Sequence, residues 1–308
     1  MKLNLVLVNN IKKNVMKNRL LIMACFMLLP VAVVSAQDES ENVITFDVGD
    51  FEMTLFSEGQ QQGRTGILVG ATPEILEKTA PEGIFPNAVN TFFLKTKDKN
   101  ILIDTGFGRN LFKFMESREV KPESIDVVLI THMHGDHTGG LVKDGKPMFP
   151  NAKLYISRPE YDYWMSSSTG NSQQQKDIIE IYRNKLEVFV PGELDNKAGE
   201  LFPGIRAIFT PGHTPGHTVY LVKSNKSQVL VWGDITHANQ VQMPYPDVAV
   251  TYDVNPVMAV ETRKKVLSYV SKNNISVAGM HIAFPGIGRI SALGDGYEFA
   301  EWCPCEGR

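Results

Sequence analysis

Cysteine and long apolar runs are both scarce in this chain, and each scarcity excludes a class of protein. Only three Cys occur in 308 residues, so the fold cannot depend on a dense disulfide framework. The one long apolar run, residues 20–34, has 15 residues and is shorter than the ~20 needed to span a bilayer. A stable membrane anchor is therefore not expected, while a hydrophobic content of 43% supports a sizeable core.

Basic residues are also scarce once the N-terminus is set apart. Residues 1–36 carry five of the 31 basic residues and none of the 34 acidic ones, which leaves a formal charge of −8 on the rest. Such a charge disfavours nucleic acid as a partner. The basic stretch, the apolar run and the small residues Ser35 and Ala36 are typical of a secretory signal. We predict a signal peptide over 1–36, a mature domain over 37–308 and a periplasmic or secreted protein.

Some features of the two ends stay open. The stretch ending in Cys25 faintly resembles a lipoprotein processing site, but the apolar segment before this Cys is short. Met16 is an alternative first residue of the protein. Cys303 and Cys305 are separated by one proline, so two exposed thiols or a contact between chains is favoured over a strained local disulfide. A homodimer is thus left open.

Metal-ligand side chains, by contrast, are abundant in one short stretch. Directly after the apolar run 126–130, the chain places His132, His134, Asp136 and His137 within six residues. Imidazole and carboxylate are the ligands that suit Zn²⁺ and similar divalent ions. In a continuing strand His137 would face away from the first two rings, so we predict a turn after His134 at Gly135. A polar loop with incidental histidines is the alternative, but it does not explain this density.

Four such side chains would make only two incomplete sites, so further ligands are expected downstream. His213, Asp234 and His281 each follow an apolar, strand-like run, over 205–209, 229–232 and 275–279. Ligands at the ends of strands indicate a site on one rim of a sheet.

With these residues in place, the sequence resembles the metallo-β-lactamase-fold hydrolases. It shares with them the core His-x-His-x-Asp-His, the run Thr210-Pro211-Gly212-His213, the pair Gly233-Asp234 and the late His281, in that order. Residues 130–137, 149–152, 212–218 and 284–288 look like the branch that contains methyl parathion hydrolase and, more distantly, the acyl-homoserine-lactone lactonases. The resemblance implies an α/β protein with the metallo-β-lactamase fold, a four-layer αββα sandwich.

The resemblance also implies two divalent metal ions per chain. Zn is the first choice, although nitrogen and oxygen ligands also accommodate Mn, Fe and Co. The implied ligands are His132, His134 and His213 for the first ion, Asp136, His137 and His281 for the second, and Asp234 as a bridge. The bridging carboxylate matters because the β-lactamases of this fold lack it. A Glu in place of His134 would instead have suggested the diiron oxygen reductases.

Three further residues receive roles from the same resemblance. Asp104 is expected to hydrogen-bond a ligand, and His217 is expected to brace the centre rather than bind metal. His237 stands where the related lactonases carry a tyrosine that contacts the substrate. It is therefore, with Asp136, a candidate catalytic residue that donates a hydrogen bond to the developing oxyanion or protonates the leaving alkoxide. A solvent-exposed loop histidine is the equally weighted alternative.

Such a centre would use a metal-bridging hydroxide, without a Ser or Cys nucleophile, on a small-molecule substrate. We place hydrolysis of a lactone or carboxylic ester first, as in quorum-quenching lactonases. Hydrolysis of a phosphotriester is the alternative, and β-lactam hydrolysis is ranked below both.

The remaining patterns predict the surroundings of the site. Residues 43–57 predict two strands at the edge of a sheet, and the long polar stretch 58–87 predicts a loop that overhangs the site. Four helices are expected. The first runs from about 106 to 117, the second begins at 158, the third ends near 185, and the fourth spans 255–270. Tyr161 and Trp164 lie on one helical face, either as a stripe against the sheet or as a wall of the substrate pocket.

Overall fold

Two seven-stranded sheets form the centre of the structure, a computed structural model that describes residues 42–167, 172–196 and 198–302. The expected signal peptide, Cys303 and Cys305 lie outside these residues. In chain order the strands are β1 (Val43–Val48), β2 (Phe51–Arg64), β3 (Leu68–Val69), β4 (Ile84–Lys95), β5 (Asn100–Ile103), β6 (Val127–Leu129), β7 (Val142–Lys143), β8 (Lys146–Pro147), β9 (Lys153–Ser157), β10 (Leu186–Phe189), β11 (Glu200–Phe202), β12 (Ile205–Phe209), β13 (Thr218–Ser224), β14 (Ser227–Val231), β15 (Ala249–Val250), β16 (Ser276–Ala278), β17 (Ile287–Leu293) and β18 (Gly296–Glu301).

The first sheet has the order β1-β2-β4-β5-β6-β9-β10, and the second has the order β11-β12-β13-β14-β16-β17-β18. Two small pairs, β3 with β15 and β7 with β8, complete the strands. As expected, β1 and β2 form an antiparallel pair at the edge of the first sheet, joined by a turn at Gly49.

The helices are α1 (Pro73–Thr79), α2 (Leu111–Ser117), α3 (Gly135–Thr138), α4 (Arg158–Ser166), α5 (Gln173–Ile181), α6 (Asn239–Gln242) and α7 (Pro256–Asn273). The last begins as expected, because the Asn255 side chain accepts a hydrogen bond from Met258 N and proline follows the cap. Among the described residues, no helix is long and apolar enough to cross a membrane.

Three apolar layers separate the elements, as the αββα sandwich requires. Alternate side chains of both sheets, such as Leu129 and Val231, pack between the sheets. The opposite side chains of the first sheet, such as Val128, pack against α2, α4 and α5. Those of the second sheet, such as Leu230, pack against α7. The period-two alternation of each strand thus supplies two buried faces.

The prediction of a loop over residues 58–87 is wrong in part. Gln60 to Arg64 continue β2 and pair with Ile84 to Ala88 of β4, which makes a two-stranded ribbon that extends beyond the sheet. Residues 60–64 are polar and mostly exposed, so apolar alternation does not mark them as strand, although Phe85 and Ala88 on the opposite strand are buried. The segment still lies over the candidate ligands, since Gln61, Gln62 and Arg64 line the same cavity as His134 and Asp234.

Two helix boundaries also differ from expectation. The helix after Gly106 begins only at Leu111, because Gly106 and Gly108 have φ of 58° and 73°, which no α-helix uses. The helix expected to end near Lys185 ends at Ile181, and a hydrogen-bonded turn follows it.

Candidate metal centre

The candidate ligands lie after the ends of four strands, at the same rim of the sandwich. His132 and His134 follow β6 in the first sheet, while His213, Asp234 and His281 follow β12, β14 and β16 in the second. In the second sheet β13 runs antiparallel to both β12 and β14, and β14 runs parallel to β16, so these three strands end at one edge. Sheet topology alone therefore brings distant segments together.

The turn after His134 forms as the short helix α3, which carries Asp136 and His137. The two glycines that follow it, Gly139 and Gly140, are needed for close packing rather than for an unusual backbone angle, whereas a Cβ on Gly135 would meet no atom nearer than 3.9 Å. A Cβ on Gly139 would lie 2.7 Å from the Phe107 carbonyl oxygen, and one on Gly140 would lie 2.5 Å from that of Thr105. The turn can thus press against the loop after β5.

The first cluster consists of the three histidines expected for it. His134 Nδ1 lies 3.0 Å from His132 Nε2 and 3.0 Å from His213 Nε2. Together with an oxygen of Asp234, these atoms all lie within 4.8 Å of one another.

The second cluster consists of Asp136, His137 and His281. Asp136 Oδ1 lies 3.8 Å from His137 Nε2, and its Oδ2 lies 3.5 Å from His281 Nε2. These three side chains also offer ligand atoms within 4.8 Å of one another.

Asp234 stands between the clusters and turns one oxygen toward each. Its Oδ2 lies 3.1 Å from His213 Nε2 and 3.6 Å from His132 Nε2. Its Oδ1 lies 3.1 Å from His137 Nε2 and 3.3 Å from His281 Nε2. The carboxylate is thus placed to bridge two ions.

The buried polar atoms indicate that this donor set fits divalent cations. Within the described chain, His137 Nε2 and Asp234 Oδ1 are buried and have no hydrogen-bond partner. Buried polar groups are normally paired, so two such atoms facing one point call for a ligand there. Imidazole nitrogens and carboxylate oxygens in these two clusters are a donor set for two metal ions, and a third group, Asp234, His237 and His281, overlaps them.

The electrostatics favour positive charge at the same place. Burial opposes charging of His213, but Asp234 and Asp253 raise its pKa to about 9. Burial and the neighbouring His213 lower the pKa of His134 to about 3, so its ring stays neutral and keeps a lone pair for a metal. The carboxylates therefore attract a cation while the neutral rings can ligate it.

Asp104 and His217 form hydrogen bonds with candidate ligands, as the resemblance implied. Asp104 Oδ2 accepts a hydrogen bond of 2.7 Å from His137 Nδ1, which leaves Nε2 of that ring directed at the cluster. Asp104 also accepts hydrogen bonds from the backbone N–H and the hydroxyl of Thr131. His217 Nε2 accepts a hydrogen bond of 2.9 Å from the backbone N–H of Asp234, so it supports the bridge.

Two acidic residues that contact the ligand-bearing segments were not found from the sequence. Asp253 accepts a hydrogen bond of 2.9 Å from His213 Nδ1 and another from Val250 N. Glu160 accepts hydrogen bonds from Met133 N and from Thr214 Oγ1. No motif marks either residue.

His237 is buried, with 4% of its surface exposed, so the exposed-loop alternative is wrong. Its Nε2 lies 3.0 Å from Asp234 Oδ2, and its ring stacks on His281 with centroids 4.9 Å apart. Its backbone is held at both ends, because Gln242 Oε1 accepts from its N–H and Asn87 Nδ2 donates to its carbonyl oxygen. The ring therefore has a fixed place beside the bridge.

A cavity of about 1090 Å³ opens onto both clusters. Phe107, Tyr163, Trp164 and Tyr252 supply aromatic walls, and the polar ribbon covers one side. Trp164 both packs in the core and lines this cavity, whereas Tyr161 packs only against the core. Packing in the core thus applies to both residues, and the pocket wall applies to Trp164.

Comparison with known proteins agrees with this geometry. Residues 84–270 match the metallo-beta-lactamase superfamily domain. An atrochrysone carboxyl ACP thioesterase of Aspergillus chevalieri is 29% identical over 62% of this chain and 54% of its own length. An N-acyl homoserine lactonase of Bacillus cereus is 26% identical over 46% of this chain and 60% of its own. The chain thus spans little more than half of these two relatives.

Among solved structures, AidC, described as a dizinc quorum-quenching lactonase in complex with a product, aligns with a TM-score of 0.77. The alignment covers 86% of this chain and 99% of AidC at 24% identity, which is evidence for a shared fold. With the domain match over more than half of its length, two large sheets and two His/Asp clusters, the chain belongs to the metallo-beta-lactamase superfamily.

Proposed function

We propose that this protein is a dinuclear metal-dependent hydrolase of lactones or carboxylic esters. The observation that carries the proposal is the orientation of Asp234, which turns one oxygen toward each of two clusters of candidate ligands. His132, His134 and His213 would hold one ion, Asp136, His137 and His281 would hold the other, and Zn is the metal proposed for both. Divalent ions held there supply a Lewis acid for a carbonyl or phosphoryl oxygen and a nucleophile from water near neutral pH.

The cavity lining supports water as the nucleophile. None of the described residues that line it is Ser, Thr or Cys, so the usual hydroxyl and thiol nucleophiles are missing from this lining, whose hydroxyls belong to Tyr163 and Tyr252. The aromatic walls would pack against the apolar part of a substrate, and His237 would contact an oxygen at the reacting carbonyl. The chain's own residues thus bind and orient the substrate.

The relatives support a carboxylic acyl bond over a phosphoryl bond. One is described as a thioesterase and another as a lactonase, and both names describe cleavage of an acyl compound. A small molecule that bears a lactone or an ester is therefore the proposed substrate. Phosphotriester hydrolysis and, below it, β-lactam hydrolysis are the alternatives that a substrate panel distinguishes.

We expect the purified, zinc-loaded protein to prefer acyl substrates in such a panel. A hexanoyl homoserine lactone and phenyl acetate would be compared with a dialkyl nitrophenyl phosphate and a chromogenic cephalosporin. A kcat/KM at least ~10-fold higher on the lactone or the ester is the expected result, a difference of about 1.4 kcal/mol in transition-state stabilisation. Removal of metal by a chelator should abolish the activity, and added Zn²⁺ should restore it. Higher activity on the phosphotriester, or activity that persists without metal, would contradict the proposal.

We also propose that the protein is periplasmic or secreted. The leader over residues 1–36 supports this, since it has the basic, apolar and small-residue regions of a signal peptide. N-terminal sequencing of the exported protein, expressed from the full chain, is expected to begin at about Gln37. A lipidated species that begins at Cys25, or a cytoplasmic protein with an intact leader, would contradict this expectation.

A further inference from the structure

Glu160 is a buried carboxylate that forms no ion pair within the described part of the chain. It lies in the first turn of α4 and is 1% exposed. An unpaired buried carboxylate is costly unless hydrogen bonds replace its water. Four donors surround this one, and they come from three different segments.

Each oxygen of Glu160 contacts one loop of the first cluster. Oε1 accepts a hydrogen bond of 2.7 Å from the backbone N–H of Met133, which stands between His132 and His134. Oε2 accepts one of 2.6 Å from the hydroxyl of Thr214, the residue after His213. Oε2 also accepts one of 3.1 Å from Gly216 N.

The same carboxylate reaches a wall of the cavity. Trp164 Nε1 donates a hydrogen bond of 2.6 Å to Oε1, and the indole ring lies edge-on to His134 with centroids 6.0 Å apart. No hydrogen bond of Glu160 reaches the described segments that carry Asp136, His137 or His281. Glu160 thus contacts the surroundings of one cluster and not of the other.

The backbone around Glu160 is packed as tightly as its side chain. A Cβ on Gly216 would lie 2.0 Å from Glu160 N, so only glycine lets this loop approach the start of α4. Ser157 Oγ donates a hydrogen bond of 2.7 Å to the Gly216 carbonyl oxygen and accepts one from Glu160 N. The start of α4 and the His213 loop therefore form one rigid contact.

We propose that Glu160 is a positioning residue that holds the His132–His134 loop and the His213 loop in register, and thereby sets the metal affinity of the first cluster. The proposal rests on the metal centre proposed above. Three of the four donors are N–H groups that cannot accept, so the group between them must offer an acceptor oxygen on both sides, as a carboxyl group does. The loss of one hydrogen-bonded partner behind metal ligands typically costs 10- to 100-fold in affinity.

The sharpest variant is Glu160→Gln. Of the four donors, only the Thr214 hydroxyl can reverse its role, so the amide NH₂ should face Thr214 and the amide oxygen should face Met133 and Trp164. Gly216 N then meets a donor and loses its acceptor. The variant should therefore keep the His132–His134 side and weaken the His213 side, where the Thr214 contact stays and the Gly216 contact is lost.

Two backgrounds assign the effect to one cluster. In Asp136→Ala protein, which keeps the first cluster, Glu160→Gln is expected to weaken Zn²⁺ binding by ~10- to 100-fold in a chelator competition. In His134→Ala protein, which keeps the second cluster, the same change is expected to alter affinity by less than ~3-fold. Equal weakening in both backgrounds, or none in the first, would overturn the proposal.

Two further variants separate positioning from general destabilisation. Glu58 is a matched buried carboxylate, which accepts backbone N–H bonds from Phe107, Asn110 and Leu111 and none from the first cluster's loops. Glu58→Gln should lower the melting temperature but leave the Zn²⁺ affinity of the first cluster within ~3-fold. Thr214→Val removes one hydroxyl and should weaken that affinity by ~3- to 10-fold even if Glu160→Gln does not fold.

The outcomes also distinguish this inference from the proposed function. Wild-type protein that binds no metal would overturn both. Wild-type protein that binds two ions, with first-cluster affinity unchanged by Glu160→Gln and by Thr214→Val, would overturn this inference alone.

Discussion

Asp234→Ala is expected to lose both metal ions and at least ~10³-fold in kcat/KM, more than the 10- to 100-fold typical of residues behind the ligands. The reason is geometric, since within the described chain Asp234 is the carboxylate whose two oxygens face different clusters. Its loss also removes a buried carboxylate that lies 3.1 Å from His137 Nε2 and 3.3 Å from His281 Nε2. Elemental analysis of metal-replete protein and steady-state kinetics on the preferred substrate measure both effects.

Graded variants make this expectation sharper. Asp234→Asn keeps one oxygen and should retain about one ion per chain. Asp253→Ala removes the hydrogen-bond partner of one candidate ligand, His213. The variant should still bind two ions at high metal concentration, with affinity at the His213 site lower by ~10- to 100-fold. Asp162→Ala removes an exposed carboxylate on α4 and should match wild type. An Asp234→Ala protein with two ions and full activity would refute the bridging role.

The gathering of the candidate ligands was predictable because their signals are local. His132, His213, Asp234 and His281 each follow an apolar run, and an apolar run that forms a buried strand delivers the next residues to a sheet rim. The spacing of the first motif also shows that the chain must turn after His134. The roles of Asp104 and His217 came from the family resemblance rather than from any local pattern.

Long-range contacts account for what the sequence did not reveal. Asp253 lies 40 residues from His213, and Glu160 lies 27 residues from Met133, so only the packing of α4 and of the loop before α7 brings them to the centre. The ribbon at Gln60 to Arg64 was missed for another reason. Its side chains are polar and mostly exposed, and a strand segment without a buried face has no alternating pattern.

The structure also favours one of the two roles expected for His237, which are donation of a hydrogen bond to the oxyanion and protonation of the leaving alkoxide. Burial lowers its pKa to about 4, so the ring is neutral near pH 7 and a poor proton donor to a leaving group. A neutral ring has one N–H to donate, and in this structure its Nε2 lies 3.0 Å from Asp234 Oδ2, at the mouth of the metal centre. That N–H would be free for a substrate oxygen once a metal ion takes up the Asp234 oxygen. A hydrogen bond to the developing oxyanion is therefore the role that this environment supports.

His237→Ala is accordingly expected to lower kcat by ~10²- to 10³-fold, the usual cost of one oxyanion donor, with both metal ions retained. An oxyanion forms on every acyl substrate, so an alkyl lactone and a nitrophenyl ester should lose rate to within ~3-fold of each other. His237→Gln keeps an N–H donor and should recover part of the loss.

A loss confined to the lactone, whose leaving alkoxide is more basic, would instead identify His237 as a general acid. Loss of a metal ion in His237→Ala would instead identify His237 as a metal ligand. Its position beside Asp234 and His281 allows that role, so the metal content of the variant must be measured.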